Sequence, residues 1–128
     1  MKINTKIVLI LSSIFLGILG VLMSFFPQEI AIHFKIDQST SIFFQLTGAL
    51  YVGFAMVNWM VKGSTMGGIY NRPIAIGNFT HFVVGGLALL KYSSNNQDSV
   101  ELLILTGLYA VFAVTFGLIV FTHPLKEA

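Results

Sequence analysis

The sequence predicts an all-α membrane protein, a four-transmembrane-helix bundle with short loops and both termini in the cytoplasm. Of its 128 residues, 55% are apolar and only 9% are charged, whereas an average soluble domain carries about 25% charged residues. Four apolar runs contain no Asp, Glu, Lys or Arg. Each run is long enough to cross a hydrocarbon core about 30 Å thick as a helix.

The four predicted spans lie in one domain that covers the whole chain, residues 1–128. They are residues 7–26, 42–61, 73–90 and 102–121. Each run is continuously apolar rather than alternating, which disfavours a closed β-barrel. The first run follows Lys2 and Lys6, as in a signal peptide, but it is longer than a typical signal-peptide core and no small-residue cleavage motif follows it. We therefore expect an uncleaved first helix.

Lysine and arginine residues are distributed unevenly between the two ends of the predicted spans. Five belong to the N-terminus, the second loop and the C-terminus, and two belong to the first and third loops. The five are Lys2, Lys6, Lys62, Arg72 and Lys126, and the two are Lys35 and Lys91. Because cytoplasmic loops are enriched in basic residues, we expect a multi-pass protein of the bacterial inner membrane with both termini in the cytoplasm.

The segment between the first two spans, residues 27–41, has two alternative interpretations. Apolar residues alternate with other residues from Ile30 to Ile36, which favours an extended strand-like conformation. Pro27 instead favours the first turn of a short interfacial helix. The pattern does not choose between these two conformations.

The other two connections are polar or rich in glycine. In the segment 62–72, we predict that Lys62 and Arg72 contact the headgroups of anionic lipids. The residues 92–99 are almost all polar, and we predict that they form a solvated turn between the last two spans.

Small residues recur at helical spacing in all four spans. In the first span they fall at i, i+4, i+7 and i+11, which places them on one narrow face of a helix. Small side chains let membrane helices approach each other closely. We predict helix-packing roles for Ser13, Gly17, Gly20, Ser24, Gly85, Gly107 and Gly117. The pattern predicts a tight bundle, or an oligomer in which some of these faces contact other copies.

Polar residues in the second and third spans are the candidates for contact with a ligand or a transport pathway. They are Gln45, Asn78, Thr80 and His81. His81 lies in the middle of the third span, where burying an ionisable group costs free energy and therefore suggests a function. It has three interpretations: a hydrogen-bonded structural residue, a contact for a substrate or pathway, or a ligand for a metal, haem or pigment.

Residues that the chain lacks exclude several classes of function. There is no cysteine, which rules out thiol–disulfide chemistry, iron–sulfur ligation and thiolate-bound haem. No carboxylate lies in a span to orient His81 as a base, so an enzyme is disfavoured. His33 and His123 are predicted at opposite membrane faces, so we expect no metal site and no cofactor. A net charge of only +2, without a basic cluster, argues against nucleic-acid binding.

The sequence thus favours a non-catalytic role in the membrane. We expect a small inner-membrane protein that acts as an accessory subunit or as a module binding a lipid or another apolar ligand. The alternative is an oligomeric passive channel or uncoupled carrier for a small solute, lined by the polar residues of the second and third spans. The expected partners are membrane lipids, together with further copies of the chain or the subunits of a larger membrane complex.

Overall fold

A computed structural model describes residues 3–64, 66 and 71–122, and all regular structure within these residues is helical. Four long helices are α1 (Thr5–Phe25), α3 (Ser41–Val61), α4 (Arg72–Asn95) and α5 (Val100–Thr122). A short helix, α2 (Pro27–His33), and a 3-10 turn (Gln38–Thr40) connect α1 to α3. The four long helices are long and apolar enough to cross a membrane. The predicted class, an all-α multi-pass membrane protein with four spans, is confirmed.

The connection between α1 and α3 is helical, so the extended alternative for residues 27–41 is wrong. Pro27 begins α2, where its missing N–H costs nothing because the first N–H groups of a helix have no partner within it. After α2, the Ile36 N–H donates to the Ala31 carbonyl at 2.8 Å and the Lys35 N–H to the Ile32 carbonyl at 3.1 Å. This pair of bonds is a Schellman motif. It places Lys35 in the left-handed region with φ of 55°, a conformation usually taken by glycine.

The 3-10 turn before α3 begins at a side-chain cap. Asp37 Oδ1 accepts a hydrogen bond from the Ser39 N–H at 2.9 Å. Hydrogen bonds from the backbone and side chain of Ser39 hold the pKa of the Asp37 carboxyl below its ordinary value. Since the ionised carboxylate is the better acceptor, this cap is fully formed at neutral pH.

Helix α4 is longer than predicted, and the solvated turn expected at residues 92–99 is correspondingly shorter. The first four residues of that segment continue the helix to Asn95. Polar side chains of this segment bond to the helix itself: Ser94 Oγ donates to the Lys91 carbonyl at 2.8 Å, and Nδ2 of Asn96, the residue after the helix, donates to the Tyr92 carbonyl at 3.0 Å. Polar composition alone therefore did not mark the end of the helix.

The chain divides into two compact units, which are described separately. The first hairpin comprises α1, α2 and α3, and the second comprises α4 and α5. In both, large apolar side chains are exposed on the long helices. Ile18, Leu46, Val84 and Val111 are 57–62% exposed. Such surfaces are unfavourable in water and match the hydrocarbon of a bilayer.

Candidate functional site

Helices α1 and α3 of the first hairpin meet through their backbones. A Cβ atom added to Gly20 would lie 2.8 Å from both the Gly48 carbonyl oxygen and the Val52 backbone nitrogen. A Cβ atom added to Gly48 would lie 2.7 Å from the Gly20 carbonyl oxygen and 2.8 Å from the Ser24 backbone nitrogen. Neither glycine has room for a side chain, because such distances are too short for carbon. Glycine at both positions is thus what allows this contact.

A cluster of buried polar side chains joins the same two helices nearer the start of α1. Ser13 Oγ donates to the Ala55 carbonyl at 2.7 Å, and Asn58 Nδ2 donates to Ser12 Oγ at 3.1 Å. Ser12 Oγ in turn donates to the Leu9 carbonyl at 3.1 Å. Ser12 and Asn58 are fully buried. In a membrane an unsatisfied polar group is costly, so these bonds position the two helices relative to each other.

An open groove of about 300 Å³ lies between α1 and α3, and we call it the α1–α3 groove. Its lining is Ser13, Gly17, Val21, Val52, Ala55, Met56 and Trp59. A Cβ atom on Gly17 would lie 3.7 Å from the Ala55 Cβ, an ordinary van der Waals distance. The groove is therefore a space left by small residues between two helices that touch elsewhere.

Trp59 lines the groove and is covered on one ring face by a cation. The Lys62 Nζ lies 3.0 Å from the centre of the Trp59 ring, which is a cation–π contact. Lys62 is the residue that directly follows the end of α3. The contact brings a positive charge to an apolar groove, a combination that suits a ligand with an apolar part and an anionic part.

In the second hairpin, His81 is paired with Tyr109. The Tyr109 hydroxyl lies 3.2 Å from His81 Nε2, and the ring centres are 5.5 Å apart. Gly85 leaves the space for this pair, because a Cβ atom on it would lie 2.7 Å from Tyr109 Cε1. Tyr109 itself is buried. The sequence predicts roles for His81 and Gly85 but none for Tyr109, since the partner of His81 depends on how α5 is rotated against α4.

The other three candidates for ligand or pathway contact are described within their own hairpins. Asn78 is fully buried and donates from Nδ2 to the Ile74 carbonyl of its own helix at 2.9 Å. Thr80 is exposed on a different face of α4, and Gln45 is exposed on α3 of the first hairpin.

Of the remaining residues with predicted helix-packing roles, Gly117 lies against an aromatic ring, and Gly107 does not contact another helix. A Cβ atom on Gly117 would lie 3.0 Å from Phe79 Cε2. Around Gly107 there is nothing within 4 Å, so within the described residues this glycine faces open space. The same is true of Gly53 on α3.

The structure describes both residues predicted to contact headgroups, Lys62 and Arg72, and one of the other two histidines. Arg72 is the first residue of α4 and is exposed, while the glycines at 67 and 68 and His123 lie outside the described residues. His33 ends α2 and is exposed, with its ring centre 5.0 Å from that of Phe34. Across the described part of the chain, no three His, Asp or Glu side chains are grouped closely enough to hold a metal ion.

Comparisons with protein-family models, with curated proteins and with solved structures found no match to this chain. The two hairpins and the α1–α3 groove are therefore the features of the molecule that bear on its function.

Proposed function

We propose that the protein is a non-catalytic inner-membrane module whose first hairpin binds a lipid or a similar apolar molecule in the α1–α3 groove. The observation that carries this proposal is the groove itself: its volume of about 300 Å³ is at the lower end of the range for ligand sites, and most of its lining is apolar, as in such sites. Because lipid tails are as apolar as the side chains, selective binding here depends on close packing rather than on the hydrophobic effect.

Association with further membrane subunits is the second part of the proposal. Gly53 and Gly107 have open space where a side chain would lie, although glycine is unfavourable in the middle of a helix. Small residues on an open face permit close approach by another membrane helix. These two positions support a role as an accessory subunit, with a second copy or another polypeptide as the neighbour.

A channel or carrier receives less support from the same geometry. Asn78 and His81 have hydrogen-bonding partners within the second hairpin, and Thr80 lies on a different face of α4. A pathway for solutes needs polar groups that converge on one lumen. The arrangement of these side chains therefore favours a structural role for His81 over a role in transport.

The proposal is tested by filling the groove. Gly17→Leu places a side chain in the α1–α3 groove, and its Cβ meets Ala55 at an ordinary distance. Gly53→Leu adds the same side chain where nothing lies within 4 Å and is the matched control. The measurement is fluorescence of Trp59, the only tryptophan of the chain, in detergent solution during titration with phosphatidylcholine brominated in mid-chain.

Wild type and Gly53→Leu should show saturable quenching by the brominated chain, and Gly17→Leu should lose the saturable component. Circular dichroism checks that both variants keep their helices. Undiminished saturable quenching in Gly17→Leu would mean that the lipid contacts Trp59 from elsewhere, and the groove would lose its proposed role.

A further inference from the structure

We propose that the occupant of the α1–α3 groove is an anionic phospholipid, with its phosphate bound by Lys6 and Lys62 and one acyl chain lying along the groove. This inference rests on the proposed function and names the ligand class of the same site. It is carried by three features of the first hairpin: the register of α1 against α3, the distribution of charge, and the length of the groove.

The register of the two helices places Lys6 and Lys62 at the same level. Ser13 bonds to the Ala55 carbonyl, and the chains of α1 and α3 run in opposite directions. Lys6 lies seven residues before Ser13, and Lys62 lies seven residues after Ala55. Each lysine is therefore about 10 Å beyond this contact along its own helix, at the rise of 1.5 Å per residue. Two basic residues thus flank the same end of the hairpin.

No acidic residue offsets these two charges among the described residues at that end of the hairpin. The acidic residues of the first hairpin are Glu29 and Asp37. Both lie in the connection between α1 and α3, which is at the opposite end. An uncompensated pair of cations at the membrane surface attracts phosphate, and each basic residue near such a surface strengthens binding of anionic lipid by about fivefold.

The groove and the charged end are joined by the contact between Lys62 and Trp59. Trp59 lines the groove, and the Lys62 Nζ lies 3.0 Å from the centre of its ring. Tryptophan is common at the level where headgroups meet hydrocarbon. A phospholipid whose phosphate contacts Lys62 therefore has the start of its acyl chains beside Trp59 and the groove.

The length of the site matches one leaflet of a bilayer. Val21, at the far end of the groove lining on α1, lies fifteen residues after Lys6, which is about 22 Å along a helix. Half of a bilayer, with its headgroup layer, is also about 20–22 Å thick. One phospholipid of that leaflet spans the distance from the lysines to the end of the groove, whereas a free phosphate ion would leave the groove empty.

The test compares brominated phosphatidylglycerol with brominated phosphatidylcholine in the same titration of Trp59 fluorescence. The full chain should bind phosphatidylglycerol at least about fivefold more tightly than phosphatidylcholine, because the attraction of a single lysine already accounts for that factor. Lys62→Gln should remove about fivefold of this preference, and Lys62→Arg should keep it. Lys6→Gln should weaken the preference to a similar extent without touching the cation–π contact. Each curve is normalised to its own unquenched fluorescence.

Lys91→Gln is the matched control, because Lys91 is an exposed lysine of the second hairpin and its replacement changes net charge equally. It should leave the preference unchanged. Equal affinity for both lipids, with quenching still lost in Gly17→Leu, would overturn the anionic ligand but keep the proposed function. An equal loss of the preference for phosphatidylglycerol in Lys91→Gln and Lys62→Gln would also overturn the anionic ligand, since the preference would then depend on overall charge. Undiminished quenching in Gly17→Leu would instead remove the proposed function itself.

Discussion

In the first hairpin α1 and α3 meet through their backbones, whereas in the second hairpin α4 and α5 meet through aromatic rings. Gly20 and Gly48 leave no room for a side chain between α1 and α3. In the second hairpin the buried Phe82 ring stacks on Phe112 and Phe116, with ring centres 4.8 Å and 5.7 Å apart. Two helix pairs of one small membrane protein thus reach close packing by opposite means, one by the absence of side chains and the other by filling the space with large ones.

The largest expected effect comes from emptying the aromatic core of the second hairpin. Phe82 is fully buried, and Phe82→Ala should lower the free energy of unfolding by about 3 kcal/mol through the cavity it leaves. Val84→Ala is the control, since Val84 is 62% exposed and should change little. The measurement is helix content by circular dichroism during titration with a denaturing detergent. Equal losses in the two variants would show that the rings do not hold α4 and α5 together.

The reverse change, adding one carbon to the first hairpin, should have the next largest effect. Gly20→Ala places a Cβ against backbone atoms that cannot rotate away, and it should destabilise the protein by about 2 kcal/mol, as overpacking does. Gly53→Ala adds the same carbon where there is open space and should stabilise the helix by about 0.5–1 kcal/mol. The same detergent titration measures both. A neutral Gly20→Ala would mean that α1 and α3 do not meet by their backbones.

A smaller effect is expected in the connections of the two hairpins. Lys35 takes a left-handed conformation at φ of 55°, so Lys35→Gly should raise the free energy of unfolding by about 1 kcal/mol. In the second hairpin, Asn96 at the end of α4 has φ of −131°, and Asn96→Gly should give no such gain. Detergent titrations of both variants measure the effect. If Asn96→Gly stabilises the protein and Lys35→Gly does not, this difference between the two connections is contradicted.

The smallest expected effect is the loss of the hydroxyl that faces His81. Tyr109→Phe keeps the ring beside Gly85 and removes the hydroxyl that bonds to His81 Nε2, so the cost should be about 0.6 kcal/mol, the average for such bonds between membrane helices. Tyr109→Leu, which also removes the aromatic contacts, should cost clearly more in the same titration. Should Tyr109→Phe prove as damaging as Tyr109→Leu, the hydrogen bond would outweigh the ring contacts.

The sequence predicts what depends on neighbours along one helix. The spacing of Ser13, Gly17, Gly20 and Ser24 marks one face of α1 because residues three or four apart share a face, and in the structure this face adjoins α3. The sequence does not show that Gly20 contacts Gly48 or that Tyr109 contacts His81. Those pairs depend on the register and rotation of one helix against another, which one sequence does not encode as a local pattern.

The hydrogen bond between Ser12 and Asn58 and the α1–α3 groove could not be predicted from the sequence, for a related reason. Ser12, one position from the predicted packing face, is fully buried and accepts a hydrogen bond from Asn58 of α3. The groove arises where Gly17 does not touch α3 as closely as Gly20 does. A sequence pattern shows which residues are small, but it does not show how far apart two backbones lie.

The polar last turn of α4 has a consequence for the thickness of membrane that this helix fits. The apolar part of α4, residues 73–90, is about 27 Å long, while the apolar part of α3, residues 42–61, is about 30 Å long. An upright α4 therefore fits a thinner hydrocarbon layer than an upright α3, and a difference of this kind is accommodated by tilting or by local thinning of the bilayer. Lys91 makes this difference smaller, because a lysine at the end of a span extends its charged group toward the headgroups. The lipid beside α4 is thus expected to be compressed relative to the lipid beside α3.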